Sequence, residues 1–493
     1  MSNNYSNTAL IILTILISTI FSEANAKSWL DTGNMKLRHE LQLLSDTNHL
    51  NVPLTTWPLS SEDIQSQLDQ SASQKSPELK STLSSVNDQL SEIHFKVSGN
   101  FHSKELLIRD FSGSGREKGV ISYDKEWSYS KVDLRLKASL ADKSNHLSDK
   151  SFRLDESYVA ASLGNWKLTA GQQSRWWGPG WDGSLILSNN ARPIPSISIE
   201  NINSKASENE YLRWFGPYKL HMFIGQLESN RAVPNTKLVG TRLTFKPLKT
   251  LEVGLHRSIQ WGGTGQDNSF SGFLKTLAST RKDSDDNQLT SVRGNQIAGV
   301  DFRWNLPLSY QNKYSIYGQY IGEDRVDGSL LLGDETFLLG GSSSGYSKKL
   351  QGSWRTYIET ADTSAASFKG RARNNIIYNH STYKDGYRYQ GLSMGHSIDS
   401  DSTIVSAGAM LAKNNGDFWR AWVKHAELNK DGKGKNTIAP KGKKWTAVGI
   451  SLDRKYSKKI KLNLGTQFIS EKNTGKNRKN NIKISTGFSY SFN

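Results

Sequence analysis

The 493-residue sequence predicts an all-β transmembrane barrel, antiparallel and of about 18 strands, with a small helical unit ahead of it. Three observations carry that reading: an export signal, segments of about ten residues that alternate apolar and polar to the end of the chain, and an unusual composition. Hydrophobic residues make up 35% and mean hydropathy is −0.59, yet there are 14 Trp, 18 Tyr, 17 Phe and 41 Gly. A membrane barrel hides its apolar surface in alternation rather than in runs, which reconciles low hydropathy with many aromatics. Disorder also gives low hydropathy, but it does not carry this many aromatics.

Residues 9–21 (ALIILTILISTIF) are too short for a comfortable helical span and precede the small-residue site Ala24-Asn25-Ala26. Residues 1–26 are therefore expected to be a signal peptide, with Lys27 starting the mature chain, although no Lys or Arg precedes the apolar run. No later stretch approaches 18 consecutive apolar residues, so no membrane helix is expected. The chain contains no cysteine, which leaves packing and backbone pairing to hold an exported protein.

Residues 27–93 are expected to form a periplasmic unit of two or three helices. Ser76-Pro77 has the form of an N-cap followed by proline at the first helical position. Leu79, Leu83, Val86, Leu90 and Ile93 then recur as one stripe. Ser60 and Asp63 outline a second helix start before Ile64 and Leu68, and a third helix is expected around Met35–Leu44.

Residues 94–493 are expected to form the barrel. In 132–140, Val132, Leu134, Leu136, Ala138 and Leu140 face one way, and Asp133, Arg135, Lys137 and Ser139 the other. Residues 300–306 and 460–468 repeat the pattern, and in 482–492 the apolar face ends in Phe488, Tyr490 and Phe492. That last segment looks like the closing strand recognised by barrel-assembly machinery. Counting segments gives between 16 and 20 strands, taken as 18. With a periplasmic C-terminus, loops 470–481 and 427–444 fall outside and turn 453–459 inside, giving the longer connections to the extracellular side. A barrel this wide has a lumen to fill. The long connections 175–209 and 262–296 are the expected filling.

The run Arg175-Trp176-Trp177-Gly178-Pro179-Gly180-Trp181-Asp182-Gly183 sets three tryptophans on a bend that neither a strand nor a helix can continue. Flat aromatic faces beside a fixed Arg and Asp suit a sugar, while an aromatic plug inside a large fold suits them equally. With the continuation through Asn189-Asn190-Ala191-Arg192-Pro193, the segment resembles the signature of the Wzi family of outer-membrane capsule-assembly lectins. The stretch Pro53-Leu54-Thr55-Thr56-Trp57-Pro58-Leu59 and the cluster His256-Arg257-Ser258-Ile259-Gln260-Trp261-Gly262-Gly263 also resemble family segments. The resemblance implies a non-enzymatic protein of the Gram-negative outer membrane that binds exported capsular or exopolysaccharide and holds it on the cell surface. Candidate polysaccharide-binding residues are Arg175, Trp176, Trp177, Trp181, Asp182, Arg192, Arg257, Gln260 and Trp261. For Arg257 and Trp261 a structural role, pairing with a lumen acid or sitting in an interface belt, competes with binding. A porin or transporter for sugars or anionic solutes is the alternative.

Net charge is +17, and residues 429–483 hold 16 Lys or Arg against Asp431, Asp453 and Glu471. Basic loops steer anionic polysaccharide, and they also suit lipopolysaccharide and outer-membrane lipid. Nucleic acid is not an expected partner of an exported barrel. Gly341-Ser342-Ser343-Ser344-Gly345 matches a hydrolase elbow in letters, but it reads as a serine-glycine loop with no helix after it. Gly113-Ser114-Gly115 lacks a dinucleotide-binding context. The ten histidines show no metal spacing, and neither a metal nor a cofactor is expected. Asp285 and Asp286 read as solvated turn acids, and Asp155 and Glu156 would point to opposite faces of a strand.

Overall fold

The computed structural model describes residues 28–70, 79–92, 95–113, 115–142, 151–278, 294–309, 312–325, 332–366 and 374–492. The Ser76-Pro77 cap, the signal segment and Asp285/Asp286 lie outside them. Nineteen strand segments from Phe95–His102 to Lys479–Ser491 close into one antiparallel ring. Phe152–Arg153 and Tyr158–Leu163 lie end to end beside Val132–Ala141, so the barrel has 18 strands. Closure is a ladder between the last strand and the first, from Ser485 opposite His102 to Ser491 opposite Lys96. It leaves no edge, the condition for a sheet in lipid.

Alternation decides which side chain goes where. On Asn295–Leu306, Val300, Phe302 and Trp304 project outward and are exposed, while Asp301, Arg303 and Asn305 are buried in the lumen. Outside faces of the last strands follow suit with Leu462, Leu464, Phe468, Ile482, Ile484 and Phe488. The outer surface is thus apolar and the interior polar, the inverse of a water-soluble sandwich. One rim carries mostly short turns, such as 130–131, 164–165 and 249–250; the other carries the long connections. The segment 341–345 is no loop: it runs mid-strand within Leu332–Ser347, where Ser342 and Ser344 face the lumen.

The N-terminal segment is built into the short-turn mouth. Helix α1 (Met35–Asp46) starts at Asn34, whose side chain accepts the Leu37 N–H at 3.0 Å, and nearly every residue of it is buried. Its last residue, Asp46, pairs with Arg303 at 2.7 Å and Arg355 at 3.1 Å on the barrel wall. Helix α2 (Ser61–Gln70) begins as the sequence implies: Ser60 Oγ accepts the Asp63 N–H at 3.3 Å. The Asp63 carboxylate accepts the Ser204 N–H instead of returning to the cap. Helix α3 (Lys80–Leu90) packs on α1 with Leu83, Val86 and Leu90 buried.

Connections from the opposite rim complete the filling. Residues 173–194 descend into the lumen, as expected for the first half of 175–209. Residues 374–402 contribute Ile377, Tyr378, Tyr387, Leu392, Met394 and Ile398, a filling the sequence reading did not identify. The described part of 262–296 departs from the expected filling: its helix α4 (Phe270–Ala278) packs on the outward face of the wall, and residues 279–293 lie outside the described residues. There Arg257 donates to the Leu277 carbonyl at 2.9 Å, and Phe273 leans on Trp261.

Candidate functional site

The Gly-Pro-Gly bend is a hub of the filling. Trp176 and Trp177 pair in antiparallel register with Trp57 and Thr56, joining connection 173–194 to the N-terminal segment. Gly178 donates its N–H to the Thr55 carbonyl at 2.9 Å. Beyond the bend, Glu359 reaches in from strand Gly352–Ala366 and accepts the N–H groups of Trp181 (2.7 Å), Asp182 (3.1 Å) and Gly183 (2.9 Å). Tyr317 adds its hydroxyl at 3.0 Å. One carboxylate thus fixes three successive backbone donors. Gly183 is required because the His396 ring packs directly on its Cα, leaving no room for a side chain.

All three tryptophans are buried to within 1% of full coverage. Phe111 meets Trp176 edge-on at 5.2 Å and Trp57 at 5.1 Å. The Arg38 guanidinium sits 4.5 Å from the Trp181 ring, which also stacks on Tyr357. No ring face remains for a sugar. Trp176, Trp177 and Trp181 thus pack inside the filling, because distant elements cover a bend that looks exposed in sequence. Burial pushes Arg38 down to about 9, yet it stays charged and donates to the Pro179 and Gly180 carbonyls.

The remaining candidates scatter. Arg175 is buried beside Phe223, donating to Ser196 and to the Gln173 carbonyl, and burial lowers it to about 10. Asp182 is taken by Lys424 at 2.8 Å and by the Tyr357 hydroxyl at 3.1 Å. Arg192 holds Asp155 in a two-pronged bridge at 2.8 and 2.7 Å. Gln260 faces inward, donating to the Gly386 carbonyl. Arg257 and Trp261 face outward beneath α4, so no lumen acid pairs with Arg257. Arg175 and Arg192 line one small pocket beside Phe223 and Met394, and Asp182, Arg257, Gln260 and Trp261 do not join it. Sequence reasoning missed Glu359, Arg38 and Lys424; their signal was limited to polar positions in alternating or amphipathic segments, with no hint of their partners.

What stays open to solvent is the long-connection rim. Lys433, Lys435, Lys441, Lys444, Lys472, Lys476, Arg478 and Lys479 are exposed on connections 429–442 and 474–478 and the strand ends beside them. Of these eight, among the described residues, only Lys444 has a carboxylate partner, Glu427. The strands that carry them are neighbours, with Lys443–Lys455 beside Ile460–Asn473 and that beside Lys479–Ser491. They form one uncompensated basic face.

A closed lipid-facing ring, plugged from both mouths and basic at one rim, defines a plugged transmembrane β-barrel. Comparison with known proteins places it further. The chain belongs to the family described as capsule assembly protein Wzi, matched over residues 69–483. It is 29% identical to a Klebsiella pneumoniae protein described as a 55.8 kDa protein in the cps region, over 93% of this chain and 89% of that one. A solved Escherichia coli structure superposes with a TM-score of 0.83 at 27% identity, covering 94% of this chain and all of that one. That protein is described as Wzi, an outer membrane protein involved in group 1 capsule assembly and a carbohydrate-binding β-barrel.

Proposed function

We propose that this protein is a non-enzymatic outer-membrane lectin that binds exported capsular polysaccharide and holds it at the cell surface. The observation that carries the reading is the basic face of connections 429–442 and 474–478 on a barrel whose lumen is filled. Filling favours retention over permeation, so the porin reading loses its path. Each exposed Lys or Arg contributes at most about 1 kcal/mol to an acidic sugar. A repetitive polymer engages several at once and gains avidity. The short-turn rim, with α1 to α3, is then periplasmic, and the basic rim faces outward where polymer and lipopolysaccharide lie.

The test is binding of purified protein to surface polymer from its host, by wild type and by a variant carrying Lys433→Glu, Lys435→Glu, Lys476→Glu and Arg478→Glu. The reading expects salt-sensitive binding that drops at least tenfold in the variant, with polymer length unchanged. Equal binding by both, or steady large single-channel currents from wild type, refutes it. Shortened polymer would mean a hydrolase.

A further inference from the structure

A cavity of about 280 Å³ runs along the lumen side of the seam, where the last strand meets the first. Asn100 and His102 of the first strand line it, with Lys483 and Ser485 of the last strand and Gln467 of the strand beside that. Solvent reaches this groove: Asn100 is exposed although it points inward, its Oδ1 lying 2.6 Å from where a Gly487 Cβ would stand.

Lys483 is the anomaly. It is 3% exposed, and its Nζ makes no hydrogen bond to a described group. Other buried lumen lysines are satisfied: Lys167 by Asp133 (3.1 Å), Lys219 by Glu200 (2.7 Å) and Lys424 by Asp182 (2.8 Å). The acids nearby are committed elsewhere. Asp110 is held by Arg420 at 2.6 Å and Lys424 at 3.4 Å, and Asp453 accepts from Asn463. Arg109 and Glu105 are the charged groups that Lys483 feels, one repelling and one attracting, neither bonded to its Nζ. His102 Nδ1, also lining the groove, has no described partner either. A buried amine without a partner is unfavourable, and an anion entering the groove supplies the missing acceptor and favours its charged form.

We propose that this cavity binds one acid-bearing sugar unit, a uronic acid at the end or branch of an anionic polysaccharide. Lys483 donates to its carboxylate, and Asn100, Gln467 and Ser485 bond its hydroxyls. A groove of this volume has room for one pyranose. The proposal rests on the polysaccharide reading above and adds a second, internal contact of different size and selectivity.

Calorimetric titration of the full-length protein in detergent tests it, with D-glucuronate, D-glucose and inorganic phosphate as probes. Wild type is expected to bind glucuronate at least tenfold more tightly than glucose. Lys483→Met should lower glucuronate affinity tenfold or more, and Lys483→Arg should retain it. The comparison of glucuronate with glucose on wild type decides the matter even if Lys483→Met fails to fold. Absent glucuronate binding, equal binding of glucose, binding of phosphate alone, or an unaffected and folded Lys483→Met variant each overturns the assignment. The four-site charge-reversed variant keeps glucuronate binding if the cavity is the site, whatever becomes of its polymer binding. Failure of the rim reading is thereby distinguishable from failure of this one.

Discussion

Replacing Glu359 with alanine should free the Gly-Pro-Gly hub while leaving the barrel closed. Four donors lose their acceptor: the N–H groups of Trp181, Asp182 and Gly183 and the Tyr317 hydroxyl, at 2.7 to 3.1 Å. At about 1 kcal/mol each, the typical net value for a protein hydrogen bond, the hub weakens by about 4 kcal/mol. That corresponds to roughly a thousandfold rise in the released state. The ring is spared, because the side chain of Glu359 points into the lumen and its backbone ladder to Ser406 and Gly340 is untouched. Limited chymotrypsin digestion in micelles reads the outcome, since release exposes the peptide bonds after Trp177 and Trp181. Heat-modifiable migration on gels checks the barrel. When opening is fast, cleavage tracks the open population, so its rate should rise by orders of magnitude. A folded Glu359→Ala barrel cleaved within threefold of the wild-type rate would refute the clasp. Glu359→Gln, which keeps one acceptor oxygen, should fall between.

Trp181→Ala removes a ring covered on both faces and should destabilise the plug by about 3–5 kcal/mol, read as the same cleavage, without a direct loss of sugar contacts. Acid should loosen the plug as well. Burial pushes His396 down to about 4 and His39 to about 3. The unfolded chain therefore binds more protons below its ordinary histidine value of about 6.5, and stability present above that pH is lost as pH falls towards 4. Protease protection at pH 7 and 4.5 checks this, and His396→Gln should flatten the difference. Breaking Asp46→Ala strips Arg303 and Arg355 of their carboxylate and should cost about 3–5 kcal/mol of α1 anchoring, measured as chymotryptic cleavage near the N-terminus.

The wall was legible in the sequence because lipid and lumen impose opposite demands on neighbouring residues. Val300-Asp301-Phe302-Arg303-Trp304 declares both faces within five positions. Helix starts at Asn34 and Ser60 are short-range hydrogen bonds, and Ser60 could be read from its neighbours. The basic rim was legible too, since exposed charge depends little on partners. The hub was not. Whether Trp181 stands on a surface or in a core depends on Arg38 and Tyr357, which are far from it in sequence. Connection 374–402 escaped notice because its buried Tyr and Ile residues follow no period. Arg257 escaped because its partners, Gln296 on the neighbouring strand and the α4 carbonyl, are distant in sequence.

The two halves of the filling differ in how they would carry a load. Connections 173–194 and 374–402 are tied at both ends to strands of one rim, so tension on the ring reaches them twice. The N-terminal segment instead enters from the other rim and is continuous with the ring only through residue 95. Its hold on the rest is a two-residue ladder, Thr56–Trp57 against Trp176–Trp177, and side-chain bonds to the wall, among them Ser28 to Glu126 and Asp133, Asp31 to Arg135, Asp46 to Arg303 and Arg355, and Leu54 and Thr55 to Glu252. A pull on residue 28 along the barrel axis loads side-chain bonds, beginning with Ser28 on Glu126 and Asp133 and Asp31 on Arg135, and the long strand ladders not at all. The molecule therefore has a mechanical weak axis, directed out of the mouth that holds its helices.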